Sequence, residues 1–163
     1  MDSKQPKRKR LRLPDYDYST TGAYFITVCT KNHKGLFGAV GADSISARMV
    51  ERVFLETVQE QAGVEAPICV VMPIHFHALV TISRADMESA PTISTLVQTF
   101  KRHTTVEYTK LVKNGEAPPF EGQLWQRSFY DHVIRNQEDF DDVYRYIEEN
   151  PKRWQEDKFS CKD

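Results

Sequence analysis

Hydrophobic and polar positions follow two different periods along the chain. Short runs rich in β-branched and aromatic residues predict strands. They lie at residues 23–30, 66–74, 75–83 and 124–135. Longer stretches with a helical period cover residues 44–61, 92–112 and 136–150. The order strand, helix, strand, strand, helix, strand, helix predicts an α+β fold, a ferredoxin-like antiparallel sheet with one extra C-terminal helix. In that arrangement the first and third strands are central.

Polar residues that can cap a helix precede each helical stretch. The candidate N-caps are Ser44 or Ser46, Thr92 or Ser94, and Asn136. Pro151 is expected to end the third helix. The predicted apolar side of the second helix consists of Ile93, Leu96, Val97, Phe100 and Val106.

The segment VVMPIHFHALV, residues 70–80, places two histidines inside an apolar run. Side chains alternate between faces along a strand, so His75 and His77 share one face and Phe76 takes the other. Two imidazoles roughly 7 Å apart along a strand can converge on one metal ion. The alternative is that each histidine is an ordinary, partly buried residue with a hydrogen-bond partner. The motif alone leaves both interpretations open.

The last predicted helix carries a tyrosine beside its apolar face. At about 100° per residue, that face comprises Phe140, Val143, Tyr144 and Ile147. Tyr146 lies on the flank, one turn from Asn150. The Asn150 amide oxygen can complete a His–His–Asn metal site, which would put the Tyr146 phenol one turn from the metal. Alternatively, Tyr146 is a boundary aromatic residue and Asn150 is a helix C-cap before Pro151.

Three ordered blocks resemble the single-tyrosine HUH transposases. These blocks are PIHFHALV, LWQRSFYDHVIRN and YIEENPKRW. More narrowly, they are similar to the REP-associated tyrosine transposases, relatives of the transposases of small single-strand insertion sequences. The resemblance covers roughly residues 10–158. It implies that His75, His77 and Asn150 are metal ligands, that Tyr146 is the nucleophile, and that the fold is the ferredoxin-like one.

The resemblance also implies an activity, a cofactor and a partner. Single-stranded DNA folded into a hairpin or palindrome would be nicked and rejoined through a 5′-phosphotyrosine intermediate, with Mg²⁺ or Mn²⁺ as the cofactor. It leaves monomer and homodimer both open. The chain continues as NPKRWQEDK where the family often has NPVRAG, and its body is acidic. Two other classes therefore stay open: a catalytically silent single-stranded nucleic-acid-binding protein, and a metal-dependent hydrolase.

Charge is distributed unevenly. Of 22 Lys/Arg and 23 Asp/Glu, residues 1–13 hold six basic residues and one acidic residue, so the other 150 residues hold 16 and 22. This pattern predicts a basic N-terminal arm at 1–13, one domain at 14–158 and a tail at 159–163, with a polyanionic partner. The candidate DNA-contacting residues are Lys7, Arg8, Lys9, Arg10, Arg12, Lys101, Arg102, Arg127 and Arg135. Solvated surface charge is the alternative for each.

Cysteine usage and hydropathy bear on location. Three cysteines without CxxC spacing argue against a disulfide framework and favour the cytoplasm. The resemblance to transposases further implies association with the nucleoid. No signal peptide is expected, and the longest apolar run, residues 66–74, is too short to span a membrane. Tyr130 is the next candidate nucleophile after Tyr146. Trp125 and Phe129 are expected in the core.

Overall fold

The computed structural model describes residues 22–38, 44–83 and 92–156. Its helices and strands follow in the order β1 Gly22–Cys29, α1 Ile45–Gln59, β2 Val64–Val71, β3 His75–Ile82, α2 Ile93–Lys113, β4 Tyr130–Ile134 and α3 Gln137–Glu149. Short 3₁₀ helices cover Lys31–His33 and Asn150–Glu156. The basic arm, the C-terminal tail and the arm's DNA-contact candidates lie outside the described residues.

The four strands form one antiparallel sheet in the order β2-β3-β1-β4. This is the ferredoxin-like order, with β1 and β3 in the centre as predicted. The β1–β3 pairing sets Thr27 opposite His77 and Cys29 opposite His75. The site-bearing strand therefore has a hydrogen-bonded neighbour on both sides.

Alternation along the two central strands divides the residues between two faces. Tyr24, Ile26 and Val28 of β1 join Phe76 and Val80 of β3 in the main core, which α1 and α2 cover. The opposite face carries a smaller cluster of Phe25, Leu79 and Ile147, the last from α3. The sheet thus has a helix layer on each side, and the histidines lie on the α3 side.

Each helix begins at one of the predicted caps. The Ser44 Oγ accepts a hydrogen bond from the Ala47 amide (3.1 Å), and Thr92 forms a reciprocal capping box with Thr95. The Asn136 side chain accepts from the Asp139 amide at 2.8 Å. Local side-chain chemistry therefore sets these starts. Pro151 ends α3 at Glu149, but the chain continues as a 3₁₀ helix rather than leaving the helical path.

The predicted strand at 124–135 is wrong in its first half, because β4 covers only Tyr130–Ile134. The Lys101 ammonium donates to the carbonyls of Gln126, Arg127 and Ser128 at 2.7, 3.3 and 3.2 Å. Carbonyls gathered on one ammonium are turned away from a β ladder. Trp125 and Phe129 are buried as predicted, and the Trp125 indole donates to the Thr104 hydroxyl at 2.8 Å.

Two residues predicted on apolar helix faces are exposed. Val106 is 52% exposed and Tyr144 is 36% exposed. The buried stripe of α2 runs through Phe100, Thr104 and Tyr108, and Val106 lies two residues away, on the opposite side. In α3 the residues against the sheet are Phe140, Val143 and Ile147, which turns Tyr144 outward. The tertiary packing, rather than the hydropathy of each side chain, selected the buried stripe.

Within the described residues, no helix has the length and apolar character needed to cross a membrane. Cys29 is buried and Cys69 is half-buried. Burial, helped by the charge of Glu51, raises the pKa of the Cys69 thiol to about 12. This thiol therefore stays protonated and is a poor nucleophile.

Candidate active site

His75 and His77 lie side by side on the α3 face of the sheet. Both are completely buried, and their ring centroids are 4.4 Å apart. Their strand is central, so β1 and β2 on either side hold their backbones. Burying an imidazole where a valine would fit costs free energy unless its polar atoms are used. The pair is therefore brought together as predicted, on a rigid strand.

Thr27 sets the orientation of His77. Its Oγ1 lies 2.8 Å from His77 Nδ1, in a hydrogen bond directly across from β1 to β3. Nδ1 is used here, so Nε2, which is buried, is the ring nitrogen that could coordinate a metal ion. The sequence interpretation missed Thr27. Strand alternation puts Thr27 on the same face as Phe25, but only the register shows that it lies opposite His77.

Tyr146 stands at the margin of the same site. Its ring centroid lies 5.6 Å from that of His77 and 5.8 Å from that of Phe25, which it meets edge-on. The neighbouring Ile147 is fully buried against Phe25 and Leu79 and holds α3 to the sheet. Tyr146 itself is 37% exposed. A phenol in this position faces the histidine pair and remains accessible to a large substrate.

Asn150 follows one helical turn after Tyr146 and is 2% exposed. It is the C-cap residue of α3, as the alternative interpretation expected, and its backbone N–H donates to the Ile147 carbonyl. Its Oδ1 is buried and accepts no hydrogen bond from any described residue. A buried acceptor left in this state costs about 1–3 kcal/mol. A buried amide oxygen with no protein donor, on the helix that packs against the histidine face, fits the role of a metal ligand.

Trp154 covers the other end of the site. Its indole stacks on His75, with centroids 5.6 Å apart and planes inclined by 26°. The 3₁₀ helix after Asn150 carries it there, with a kink at Arg153 (φ −110°, ψ 25°). Sequence reasoning noted NPKRW only as a departure from a pattern. No local period could have placed Trp154 on His75, because a 3₁₀ segment and a kink intervene.

The donor set is two imidazole nitrogens and one amide oxygen. Among residues 22–38, 44–83 and 92–156, no three His, Cys, Asp or Glu side chains group as a metal site. His75, His77 and Asn150 would hold the ion, which would supply positive charge to a bound phosphate. Imidazole is a common ligand of divalent metals, and an amide oxygen suits Mg²⁺ or Mn²⁺. The residues present therefore fit a divalent ion.

The other tyrosines and histidines take different positions. Tyr130 is half-buried on the site face, opposite Thr27 in β1. The Tyr108 hydroxyl donates to the carbonyls of Leu36 and Pro118, and burial raises its pKa to about 12. The His132 Nε2 lies 2.9 Å from Asp139 Oδ2, which ties β4 to the first turn of α3. Tyr108 and His132 therefore hold the fold, and Tyr130 is the other tyrosine near the histidine pair.

The described DNA-contact candidates divide into two groups. Arg102, Arg127 and Arg135 are exposed. Lys101 is half-buried and uses its ammonium on backbone carbonyls, so it supports a loop.

A ferredoxin-like sheet with a tyrosine beside a histidine pair is the arrangement of this protein, and comparison with known families identifies the family to which the chain belongs. Residues 19–150 match the sequence profile of the IS200-like transposases. The chain belongs to this family of DNA transposases, which confirms the resemblance seen in the three sequence blocks.

Two proteins of Haemophilus influenzae (strain Rd) are similar in sequence. One, of uncharacterised function, is 28% identical over 172 residues, covering 93% of this chain and 92% of its own. The other, named provisionally as a REP-associated tyrosine transposase, is 27% identical over 135 residues. That match covers 83% of this chain and 73% of the relative.

Two solved structures share the fold. A REP-associated tyrosine transposase bound to a REP hairpin superimposes with a TM-score of 0.61 at 21% identity, covering 85% of this chain and 72% of that one. A crystal structure from Deinococcus radiodurans, described as that of a candidate transposase, superimposes with a TM-score of 0.53 at 19% identity. The match covers 84% of this chain and 95% of that one.

Proposed function

We propose that this protein nicks and rejoins single-stranded DNA through a covalent 5′-phosphotyrosine at Tyr146, with a divalent metal held by His75, His77 and Asn150. The observation that carries the proposal is the approach of Tyr146 to His77, at 5.6 Å between ring centroids. An exposed phenol beside two completely buried imidazoles places a candidate nucleophile next to candidate metal ligands, as tyrosine attack on a phosphodiester requires.

The proposed substrate is DNA that folds into a hairpin. Two observations support this choice. A structural neighbour was solved with a REP hairpin, and a sequence relative carries the REP-associated name. Tyr146 lies at the margin of the site rather than in a closed cavity, so a bulky folded strand can reach it.

The reaction proposed is an exchange of phosphodiester bonds. The Tyr146 oxygen attacks the scissile phosphorus and loses its proton. The bond from phosphorus to the 3′ oxygen breaks, and the 3′ oxygen takes up a proton and leaves as a hydroxyl. The 5′ phosphate stays esterified to tyrosine. A 3′-hydroxyl later attacks this adduct, which restores the phenol and joins the strands. Each step replaces one phosphate ester by another, so no nucleotide hydrolysis is required.

The remaining residues position these groups. A bound Mn²⁺ or Mg²⁺ would supply charge to polarise the phosphate and stabilise the transition state. The Thr27 hydroxyl, 2.8 Å from His77 Nδ1, can accept a hydrogen bond from the Nδ1–H that metal binding through Nε2 requires. Trp154 covers one side of His75 and limits the directions in which that ring can turn. Phe25 holds the Tyr146 ring edge-on above the sheet.

Covalent trapping tests the proposal. The protein is incubated with Mn²⁺ and a labelled hairpin oligonucleotide with single-stranded flanks, taken from DNA beside its own gene, and denatured adducts are separated by electrophoresis. We expect an adduct that Tyr146→Phe abolishes. Tyr144→Phe is the matched control, because Tyr144 lies on the same helix and is equally exposed. That variant should keep the adduct.

Other results would favour other classes. An adduct that survives Tyr146→Phe but is lost in Tyr130→Phe would move the nucleophile to β4. Tight DNA binding with no adduct would favour a silent binding protein. Cleavage without an adduct, only weakened by Tyr146→Phe, would favour a metal-dependent hydrolase.

A further inference from the structure

Tyr130 lies on the same face of the sheet as the histidine pair. The β1–β4 pairing sets Tyr130 opposite Thr27, and the β1–β3 pairing sets Thr27 opposite His77. Residues directly opposite each other on neighbouring strands point to the same face of a sheet. Tyr130, Thr27 and His77 therefore form a row across three strands, with Thr27 in the middle. We call these three residues the polar row.

The two ends of the polar row stand on either side of a narrow gap. Neighbouring strands are about 4.7–4.9 Å apart, so the backbones of Tyr130 and His77 are separated by about 10 Å. The gap lies above Thr27, whose hydroxyl is 2.8 Å from His77 Nδ1. One phosphodiester group placed over Thr27 would therefore have an imidazole on one side and a phenol on the other.

The two tyrosines of this face reach the polar row from different directions. Tyr146 comes from α3, and its ring centroid lies 5.8 Å from that of Phe25 and 5.6 Å from that of His77. Tyr130 comes from β4, the strand at the end of the sheet, whereas α3 packs mainly over β2 and β3. In phosphoryl transfer the attacking and leaving oxygens lie roughly in line on opposite sides of phosphorus. A second phenol across the site from the nucleophile is thus placed toward the leaving side.

The surroundings of Tyr130 hold its ring and leave part of the side chain accessible. The residue packs against the cluster of Phe25, Leu79 and Ile147. It is nevertheless only half-buried. A tyrosine combines an apolar ring with a hydroxyl that both donates and accepts hydrogen bonds. Packing of the ring against this cluster therefore leaves the hydroxyl available to a substrate on the site face.

Neighbouring polar side chains on this face are engaged in other contacts. Thr27 is 1% exposed and is hydrogen-bonded to His77. The Nε2 of His132, two residues along β4 from Tyr130, lies 2.9 Å from an Asp139 carboxylate oxygen. Of the two hydroxyl groups that the described parts of β1 and β4 place on this face, that of Tyr130 is the more accessible.

The proposed reaction requires a proton donor that its assigned residues do not supply. The 3′ oxygen must take up a proton as its bond to phosphorus breaks. Tyr146 is the proposed nucleophile, and His75 and His77 are the candidate metal ligands. Tyrosine is among the side chains that act as general acids when they are held within reach of the reacting oxygen.

We propose that Tyr130 is the general acid that protonates the 3′ oxygen during cleavage. This inference rests on the proposed function, since it assigns one proton transfer within that reaction. As the Tyr146 oxygen bonds to phosphorus and gives its proton to water, the bond from phosphorus to the 3′ oxygen breaks. The 3′ oxygen keeps the electron pair and takes the Tyr130 hydroxyl proton. The Tyr130 phenolate regains a proton from water or from the 3′-hydroxyl that attacks in the rejoining step.

A sulfur atom in place of the 3′ oxygen tests this role, because a thiolate leaves without being protonated. Two labelled hairpins with single-stranded flanks are compared, one natural and one with this sulfur at the mapped cleavage position. Adduct formation with Mn²⁺ is measured in a single turnover. Tyr130→Phe keeps the ring and should slow the reaction of the natural hairpin about 100-fold, the low end of general acid catalysis. With the sulfur hairpin the same variant should be slowed by less than about threefold.

Three controls accompany this comparison. Tyr144→Phe removes an equally available phenol from α3, since Tyr144 is 36% exposed and is turned away from the sheet, and should leave both rates unchanged. Fluorescence anisotropy with the metal chelated should give the same DNA affinity for Tyr130→Phe and the unchanged protein. Melting temperatures report whether each variant is folded.

Two results would overturn the inference while leaving the proposed function intact. Equal slowing on the two hairpins would show that the Tyr130 hydroxyl positions the phosphate or supports the fold. No slowing on either would show that Tyr130 is only an aromatic residue at the rim of the site.

Failure of the proposed function has a different signature. No adduct from the unchanged protein on either hairpin, or an adduct that survives Tyr146→Phe, would refute attack by Tyr146 and the inference with it. An adduct that requires Tyr146, without rescue of Tyr130→Phe by sulfur, refutes the role of Tyr130 alone.

Discussion

The two faces of the central strands are built from alternating residues of the same segments, yet they differ in kind. Toward α1 and α2, β1 and β3 present Ile26, Val28 and Phe76. Toward α3 they present Thr27, His75 and His77. All six are essentially excluded from solvent. One face therefore buries apolar surface, which stabilises the fold, and the other buries polar groups, which costs stability unless they are used.

The helix layers match this division. The core face is covered by α1 and α2, which are 15 and 21 residues long. On the site face, the 13 residues of α3 place an exposed tyrosine at the edge and a buried amide at the end. Burial alone therefore does not distinguish a hydrophobic core from a functional face. The functional face is the one whose buried residues include polar side chains.

The largest effect is expected from truncating the core face. Phe76→Ala removes a ring that packs on Phe54 and Phe100, with centroids 4.7 and 4.9 Å away. A loss of about 3–5 kcal/mol in unfolding free energy is expected. Urea denaturation measures it. On the site face, Thr27→Val/His77→Leu replaces both hydrogen-bond partners by apolar groups, so a change within about 1 kcal/mol is expected. Equal losses on the two faces would remove the distinction.

Asn150→Ala should separate stability from metal binding. The amide oxygen has no hydrogen-bond partner among the described residues, so its removal relieves a desolvation cost of about 1–3 kcal/mol, and the unfolding free energy without metal should not fall. Asn150 would be one of three protein ligands, so its loss should weaken Mn²⁺ binding by at least about 100-fold. That figure is the upper end of the effects of changing outer-shell residues. Calorimetric titration with Mn²⁺ reports this. If affinity is unchanged, Asn150 serves α3 only as a C-cap.

Thr27→Val should act through His77. The change keeps the volume of the side chain but removes the oxygen 2.8 Å from Nδ1. Mn²⁺ affinity should fall by about tenfold, the lower end of outer-shell effects. Thr27→Ser, which keeps the hydroxyl, is the control and should restore most of the affinity. A fall of the same size in both variants would assign the effect to packing.

The smallest effect is expected at Trp154. Because its indole stacks on His75, Mn²⁺ bound there should quench its fluorescence. The only other tryptophan is Trp125, buried in the main core. Trp154→Phe should abolish most of the quenching while weakening Mn²⁺ by only about threefold, since another ring can stack in its place. Quenching that persists in this variant would place the ion nearer Trp125.

Sequence reasoning succeeded wherever the cause was local. Strand alternation put His75 and His77 on one face, cap chemistry located Ser44, Thr92 and Asn136, and the period of α3 put Tyr146 on its flank. It failed where a distant side chain decided the outcome. The Lys101 ammonium donates hydrogen bonds to the carbonyls of residues 126–128, and the fourth strand begins only after them.

What the sequence by itself determined is the order of elements, their starts and the face of each candidate residue. These follow from backbone sterics and from hydrogen bonds between residues three or four apart. Only the tertiary structure decided that Thr27 meets His77 and that Trp154 covers His75. The physical reason is that register, helix docking and a kinked 3₁₀ segment depend on contacts between residues tens of positions apart, which no local period encodes.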